Sequence, residues 1–199
     1  GLIERAEQSN LDALFDFPIH YAIGDTFCDD KSMAPVSSIL TMDSYYPDKL
    51  QLVRFLDNHD VPRIITRCHD DQNKAFSALF FLFSIRGLPM ITYGTEGWLS
   101  GDHEPENRKD MPWNNLLITK DLQQLIQLRK TYPVLSTGTG SIIEYETNWL
   151  VYQQSDENNI SIYIHNNEEQ ERIFTPPKWI TTEPVLQLSA QNGLSPLQS

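Results

Sequence analysis

The sequence predicts an α/β protein whose parallel sheet is followed by a small antiparallel β-sandwich. Three observations carry this. Short apolar runs alternate with helical stretches up to about residue 140; polar loops follow the apolar runs; and beyond residue 140 only short β-rich runs separated by turn residues remain. The organisation expected is therefore residues 1–140 as the α/β part and residues 141–199 as the all-β part.

In chain order, Leu14-Phe15-Asp16-Phe17 is a short strand candidate closed by Pro18. Leu52-Val53-Arg54-Phe55-Leu56 is a second, ending abruptly in Asp57-Asn58-His59-Asp60. Residues 73–86 are apolar almost all round and read as a buried helix that Gly87 terminates. A third strand is expected over residues 88–93, stopping at Gly94. Thr119 is placed to cap the next helix, with Asp121 in its first turn, Leu122, Leu125 and Ile126 on one face, and Arg129 and Lys130 near its end. After Gly138-Thr139-Gly140, strands are expected over residues 141–146, 149–154, 160–165, 171–174 and 184–188.

Composition narrows the function classes. With 40% apolar and 21% charged residues the chain is an ordinary globular protein, neither collagen-like, coiled-coil nor disordered. Its net charge of −12 opposes binding to phosphate backbones or anionic membranes, so neither nucleic acid nor membrane is an expected partner. The apolar run at residues 78–83 is far short of the ~20 residues that span a bilayer. Cys28 and Cys68 lie 40 positions apart with no CxxC pair, and read as two buried or free thiols rather than a disulfide scaffold or zinc site. The first residue is Gly1 and no signal-peptide pattern follows it, which leaves the compartment open.

The chemistry is concentrated in Asn58-His59-Asp60. In parallel α/β folds the loops at the carboxyl ends of strands converge on one face, and sites are assembled there. Spacing alone also allows Asp60 to end a turn and His59 to be an ordinary surface histidine. Among the four tryptophans, Trp98, Trp113 and Trp179 are candidates for stacking on sugars, whereas Trp149 at a strand position reads as core.

The string Phe55-Leu56-Asp57-Asn58-His59-Asp60-Val61-Pro62-Arg63 resembles the segment at the end of the seventh barrel strand in the α-amylase superfamily, glycoside hydrolase family 13. Gly87-Leu88-Pro89-Met90-Ile91-Thr92-Tyr93-Gly94-Thr95-Glu96-Gly97 is similar to the family's eighth strand and following loop, although Thr92 stands where many members have a second Tyr. Glu104-Pro105-Glu106-Asn107-Arg108, then Met111-Pro112-Trp113, resembles the sequel. Residues 125–135 resemble the last barrel helix, and Phe15-Asp16-Phe17-Pro18 the sixth-strand region. The resemblance implies the C-terminal portion, about strands 6–8, of a (β/α)8 barrel followed by the family's C-terminal β-sandwich.

It further implies a retaining glycosidase or glucan transglycosylase acting on α-glucosidic bonds of starch-, glycogen- or maltooligosaccharide-like substrates. Asp60 would be the transition-state stabiliser, and His59 would bond a hydroxyl of the same sugar ring. Asn58, Arg63, Asn107 and Arg108 complete the expected substrate-binding set, with Arg63 also able to anchor the Asp60 loop and Asn107 and Arg108 lining more distant sugar positions. The family's nucleophile sits in a Gly-x-Arg-x-Asp strand and its acid/base is a Glu after the next; neither is found here, and Glu4 and Glu7 follow no strand-like run. Residues 1–140 are also few for a complete barrel of ~250 residues. The expectation is a fragment, inactive alone, whose other barrel half is in the same or another chain. No cofactor is expected, and calcium would sit in segments outside this sequence. A non-catalytic glucan-binding or interaction protein is the competing expectation. Linkage preference stays open.

Overall fold

A computed structural model describes residues 3–4, 8, 11–46, 51–111, 113–114, 116–168, 170–176, 187–189 and 193–195. Strand β1 (Ala13–Phe15) leads into helix α1 (Phe17–Ile23). Asp16 caps α1 by accepting the Ile19 N–H, and Pro18 suits the first turn, where its missing donor costs nothing. A wide π turn, Gly24–Cys28, continues the helix, and α2 (Ala34–Met42) follows. Next come β2 (Gln51–Phe55), the single turn α3 (Ile64–Arg67), α4 (Gln72–Ser84), β3 (Leu88–Met90), α5 (Thr119–Thr131) and the single turn α6 (Val134–Thr137).

The first three strands form a parallel sheet in the order β1-β2-β3, with Phe15 opposite Val53 and Phe55 opposite Met90. Parallel strands need crossover connections, which α1, α2 and α4 supply. Gly87 makes the last of these crossings possible: its φ is 108°, and a Cβ there would meet the Leu52 carbonyl oxygen at 2.6 Å. A second sheet, β4 (Thr139–Tyr145), β5 (Trp149–Ser155) and β6 (Ile160–Asn166), is antiparallel and carries a register shift between Ile142 and Glu144. A separate antiparallel pair joins β7 (Gln187–Ser189) and β8 (Gly193–Ser195).

The buried core does not stop at residue 140. Leu150, Tyr152 and Tyr163 of the second sheet belong to the same cluster as Ile19, Leu79 and Phe81 of the first part. Polar ties cross there as well. The Gln154 amide donates to the Ser84 carbonyl, and the Met33 N–H to the Thr147 carbonyl. Trp149 is buried, as its strand position implied; Trp98 is also buried, Trp113 is exposed, and Trp179 lies outside the described residues. At the β1 side of the parallel sheet Leu11, Phe15, Phe17 and Tyr21 are exposed, Phe15 by 50% and Tyr21 by 61%. Among the described residues no helix is long and apolar enough to cross a membrane.

Four expectations are corrected. Cys28 and Cys68 are not free thiols but a disulfide. The π turn after α1 and the end of α3 meet in space, a proximity no sequence spacing encodes, and the adjacent Asp29 and Arg67 pin the same junction with two 2.7 Å hydrogen bonds. Thr119 does not cap α5: Ile118 holds the cap position without a side-chain bond, and the Thr119 hydroxyl turns back to the Leu116 carbonyl. The strand expected over residues 88–93 is only Leu88–Met90, because Thr92 spends its hydroxyl on the Asp57 carbonyl and the chain turns at Gly94, φ 90°. Residues 171–174 form no strand with any of the described residues, and Ile173 is 92% exposed. Of the run 184–188, only residues 187 and 188 are described, within β7.

Candidate active site

Strand β2 ends at Phe55, and the chain leaves the sheet into a loop whose conformation is set by its own side chains. Asp57 is buried; its carboxylate accepts the Ile64 N–H at 2.8 Å and lies 3.9 Å from Arg63. Burial pushes the Asp57 carboxyl above the usual carboxylate range, opposed by the Ile64 N–H and the Arg63 charge. Asn58 accepts the Asp60 N–H at 2.7 Å, closing a tight turn. That turn projects His59 and Asp60 outward, with side chains 65% and 61% exposed and His59 Nε2 3.3 Å from Asp60 Oδ2. An outward carboxylate beside an imidazole can accept hydrogen bonds from hydroxyl groups of a ligand.

The loop following Gly101 holds this turn from the side. The Arg108 guanidinium donates from Nη2 to Asp60 Oδ1 at 3.3 Å and from Nε to the His59 carbonyl at 3.0 Å. Arg108 is also 3.5 Å from Glu104. The Asn107 amide donates to the carbonyls of His59 and Val61, at 3.1 and 3.3 Å. Arg63 donates to the carbonyls of Asn107 and Tyr93, each at 2.8 Å, with its guanidinium over the Tyr93 ring. Beside these residues lies an open recess lined by Leu99, Pro105, Glu106, Arg108, Lys109 and Asp110.

The expected site residues thus separate into two groups. Asp60, His59 and Arg108 are accessible and adjacent. Arg63 and Asn107, expected among the sugar contacts, are 1% and 2% exposed and donate to backbone carbonyls, so they fasten the loop from beneath. Asn58, at 9% exposed, shapes the turn. Sequence reading missed Tyr93 as the platform under Arg63 and Glu104 as a second partner of Arg108. The Arg108 and Glu104 spacing of four was a visible signal; the Tyr93 stacking had none. Among the described residues, no three His, Cys, Asp or Glu side chains converge to hold a metal ion.

Comparison with known proteins places this geometry in context. The family described as "Alpha amylase, catalytic domain" matches residues 6–131. A cyclomaltodextrinase from a Bacillus species is 32% identical over 173 residues, covering 82% of this chain and 31% of that protein. A β/α-amylase from Paenibacillus polymyxa is 32% identical over 165 residues, covering 79% of this chain and 14% of that protein. The chain therefore spans less than a third of the length of these relatives. Among solved structures, an Anoxybacillus α-amylase superposes with a TM-score of 0.80 at 23% identity, over 98% of this chain and 45% of its own, a likeness of α/β fold. On the extent of the family match, together with the Asn-His-Asp turn at the carboxyl end of a parallel strand, the chain belongs to the α-amylase family.

Proposed function

We propose that these residues are part of a retaining α-amylase-type glycosidase or transglycosylase acting on α-glucosidic bonds of maltooligosaccharides or related glucans, with Asp60 as its transition-state stabiliser. The observation that carries this is the Asn58-His59-Asp60 turn. It presents a carboxylate and an imidazole to solvent at the carboxyl end of the central parallel strand, while five hydrogen bonds from Asn107, Arg108 and Asp60's own N–H fix its backbone and carboxylate. The relatives' names point to the same substrate class, a cyclomaltodextrinase and a β/α-amylase among them.

Residues 1–140 then stand for about strands 6–8 of the barrel and residues 141–199 for the β-sandwich behind it. The exposed aromatics at the β1 side support this, since another part of a barrel would cover Phe15, Phe17 and Tyr21. The nucleophile and the acid/base, two carboxyl groups ~5–5.5 Å apart in retaining enzymes, come on this reading from segments outside the sequence. On this reading these 199 residues alone are inactive.

In the reaction, Asp60 accepts hydrogen bonds from hydroxyls of the sugar ring as the ring flattens and positive charge develops at its anomeric carbon. Those bonds accelerate the step because they strengthen toward the transition state. His59 donates to or accepts from a hydroxyl of the same ring. Arg108 pairs with Asp60 before sugar arrives. On this reading the chemistry runs on carboxylates.

The test is Asp60→Asn in the polypeptide that joins these residues to the catalytic pair. Turnover of maltooligosaccharide should fall at least about 100-fold with the fold intact, since a charged acceptor is lost and the turn is kept. Unchanged turnover overturns the assignment. Saturable maltooligosaccharide binding with no hydrolysis by the unsubstituted polypeptide would favour a non-catalytic glucan-binding protein.

A further inference from the structure

Resting on that reading, we propose that Asn107 is a positioning residue for Asp60: its buried amide clamps the peptide units on both sides of the reacting carboxylate and holds it where the sugar ring will be. One nitrogen, Asn107 Nδ2, donates to the carbonyl of His59, the residue before Asp60, and to that of Val61, the residue after it. The His59 carbonyl takes a second donor from Arg108 Nε. Asn107 cannot drift, because Arg63 Nε donates to its carbonyl while Arg63 Nη1 holds the Tyr93 carbonyl. The amide is thus the link between a fixed, buried arginine and an exposed turn with little packing of its own.

Stability alone does not account for this arrangement. Asn107 Oδ1 and Arg63 Nη2 are buried and find no hydrogen-bond partner among the described residues. Leaving a buried acceptor and a buried donor unpaired is unfavourable, so a residue selected for stability at this place would be apolar or fully bonded. What the amide supplies is geometry. Misplacing a catalytic group by about 1 Å costs on the order of 100-fold in rate. The loop also lines an open recess through Glu106 and Arg108, the latter bonded to Asp60.

The experiment is a double-mutant cycle on the complete polypeptide, with Asn107→Asp and Asp60→Asn. The Asn107→Asp change is isosteric, removes both donations and sets a carboxylate against two carbonyl oxygens. In the native background kcat should fall about 10- to 100-fold with KM within about threefold. In the Asp60→Asn background the same change should cost less than about threefold, because Asn107 acts only through Asp60. An equal loss in both backgrounds, or no loss in the native one, overturns the proposal. Should Asp60→Asn itself leave turnover intact, the functional reading fails instead. A readout free of activity accompanies this on the same complete polypeptide: amide exchange should quicken at residues 59–63 and not across β2 at residues 51–55. Asn107→Ser gives the same comparison if the isostere does not accumulate as folded protein. Uniform acceleration, or none, also overturns the proposal.

Discussion

Arg54 and Arg63 lie nine residues apart on either side of the carboxyl end of β2, and both are 1% exposed, yet the protein treats their charges in opposite ways. Arg54 is neutralised. Asp16 meets its Nε at 3.1 Å, Asp43 accepts from its Nη2, and the Arg86 carbonyl accepts at 2.7 Å. Asp16 also caps α1, so one carboxylate serves a helix start and an ion pair at once. Among the described carboxylates Arg63 has only Asp57 within 4 Å, at 3.9 Å, and it gives its hydrogen bonds to loop carbonyls. The first arginine knits strand to helices; the second fastens a loop. Buried charge compensated by carboxylates sits behind the site, and buried charge spent on backbone sits directly under it.

Removing Asp43 tests the first half of the contrast most severely. Asp43→Ala leaves Arg54 buried with one carboxylate, a loss of about 3–5 kcal/mol. For a chain of this size that lowers the thermal midpoint by about 10 °C, and kcat of the folded fraction should not change. Calorimetry with activity normalised to folded protein checks both. A loss of kcat with an unmoved midpoint would erase the distinction between the two arginines.

Arg63→Lys is the reciprocal change. A lysine reaches one of the two carbonyls but cannot bridge both or lie flat on Tyr93. We expect a stability loss of about 1–2 kcal/mol and a fall in kcat of about tenfold, read from urea titration and steady-state kinetics.

Smaller effects come from groups remote from Asp60, and pH separates them. Two hydrogen bonds from Arg67, opposed by partial burial, hold the Asp29 carboxyl well below the usual range. Its stabilisation is therefore present above about pH 4 and lost as pH falls below that. Burial lowers the His165 imidazole, packed against Phe27, to about 4. Its neutral form supports the fold above about pH 6.5, and that support drains away as pH falls toward the folded value. Urea midpoints of Asp29→Asn should lose their dependence mainly below pH 4, and those of His165→Gln mainly between there and pH 6.5.

The least effect should come from Thr119→Ala, which removes no cap from α5 and should change stability by less than about 0.5 kcal/mol. Asp71→Ala, which strips two N–H acceptances from the start of α4, should cost about 1 kcal/mol. Circular dichroism melts of the pair check the ranking.

What the sequence disclosed follows the same division. Strand β2, the buried helix α4 and the antiparallel strands β4 to β6 were legible because apolar runs and turn residues are local signals, although α4 ends at Ser84 with Ile85 in the cap position and is not terminated by Gly87 as expected. Helix α1 was not: Phe17, Ile19, Tyr21 and Ile23 are residues strands favour, and only the Asp16 cap and Pro18 marked a helix start. The exposed pair of the candidate site, His59 and Asp60, was marked by the motif. The burial of Arg63 and Asn107 was not, because it depends on where a loop more than forty residues later folds back. The Cys28 and Cys68 pairing is the same kind of fact.

That pairing has a topological consequence. Residues 28–68 form a covalent ring that encloses all of β2 and the Asn58-His59-Asp60 turn. A protease that nicks the ring once, for instance at the exposed Lys31, releases nothing: both pieces stay tied through sulfur and part only under reductant. The segment bearing Asp60 is thereby the one stretch of this chain, among the described residues, that survives a single backbone cut without being set free.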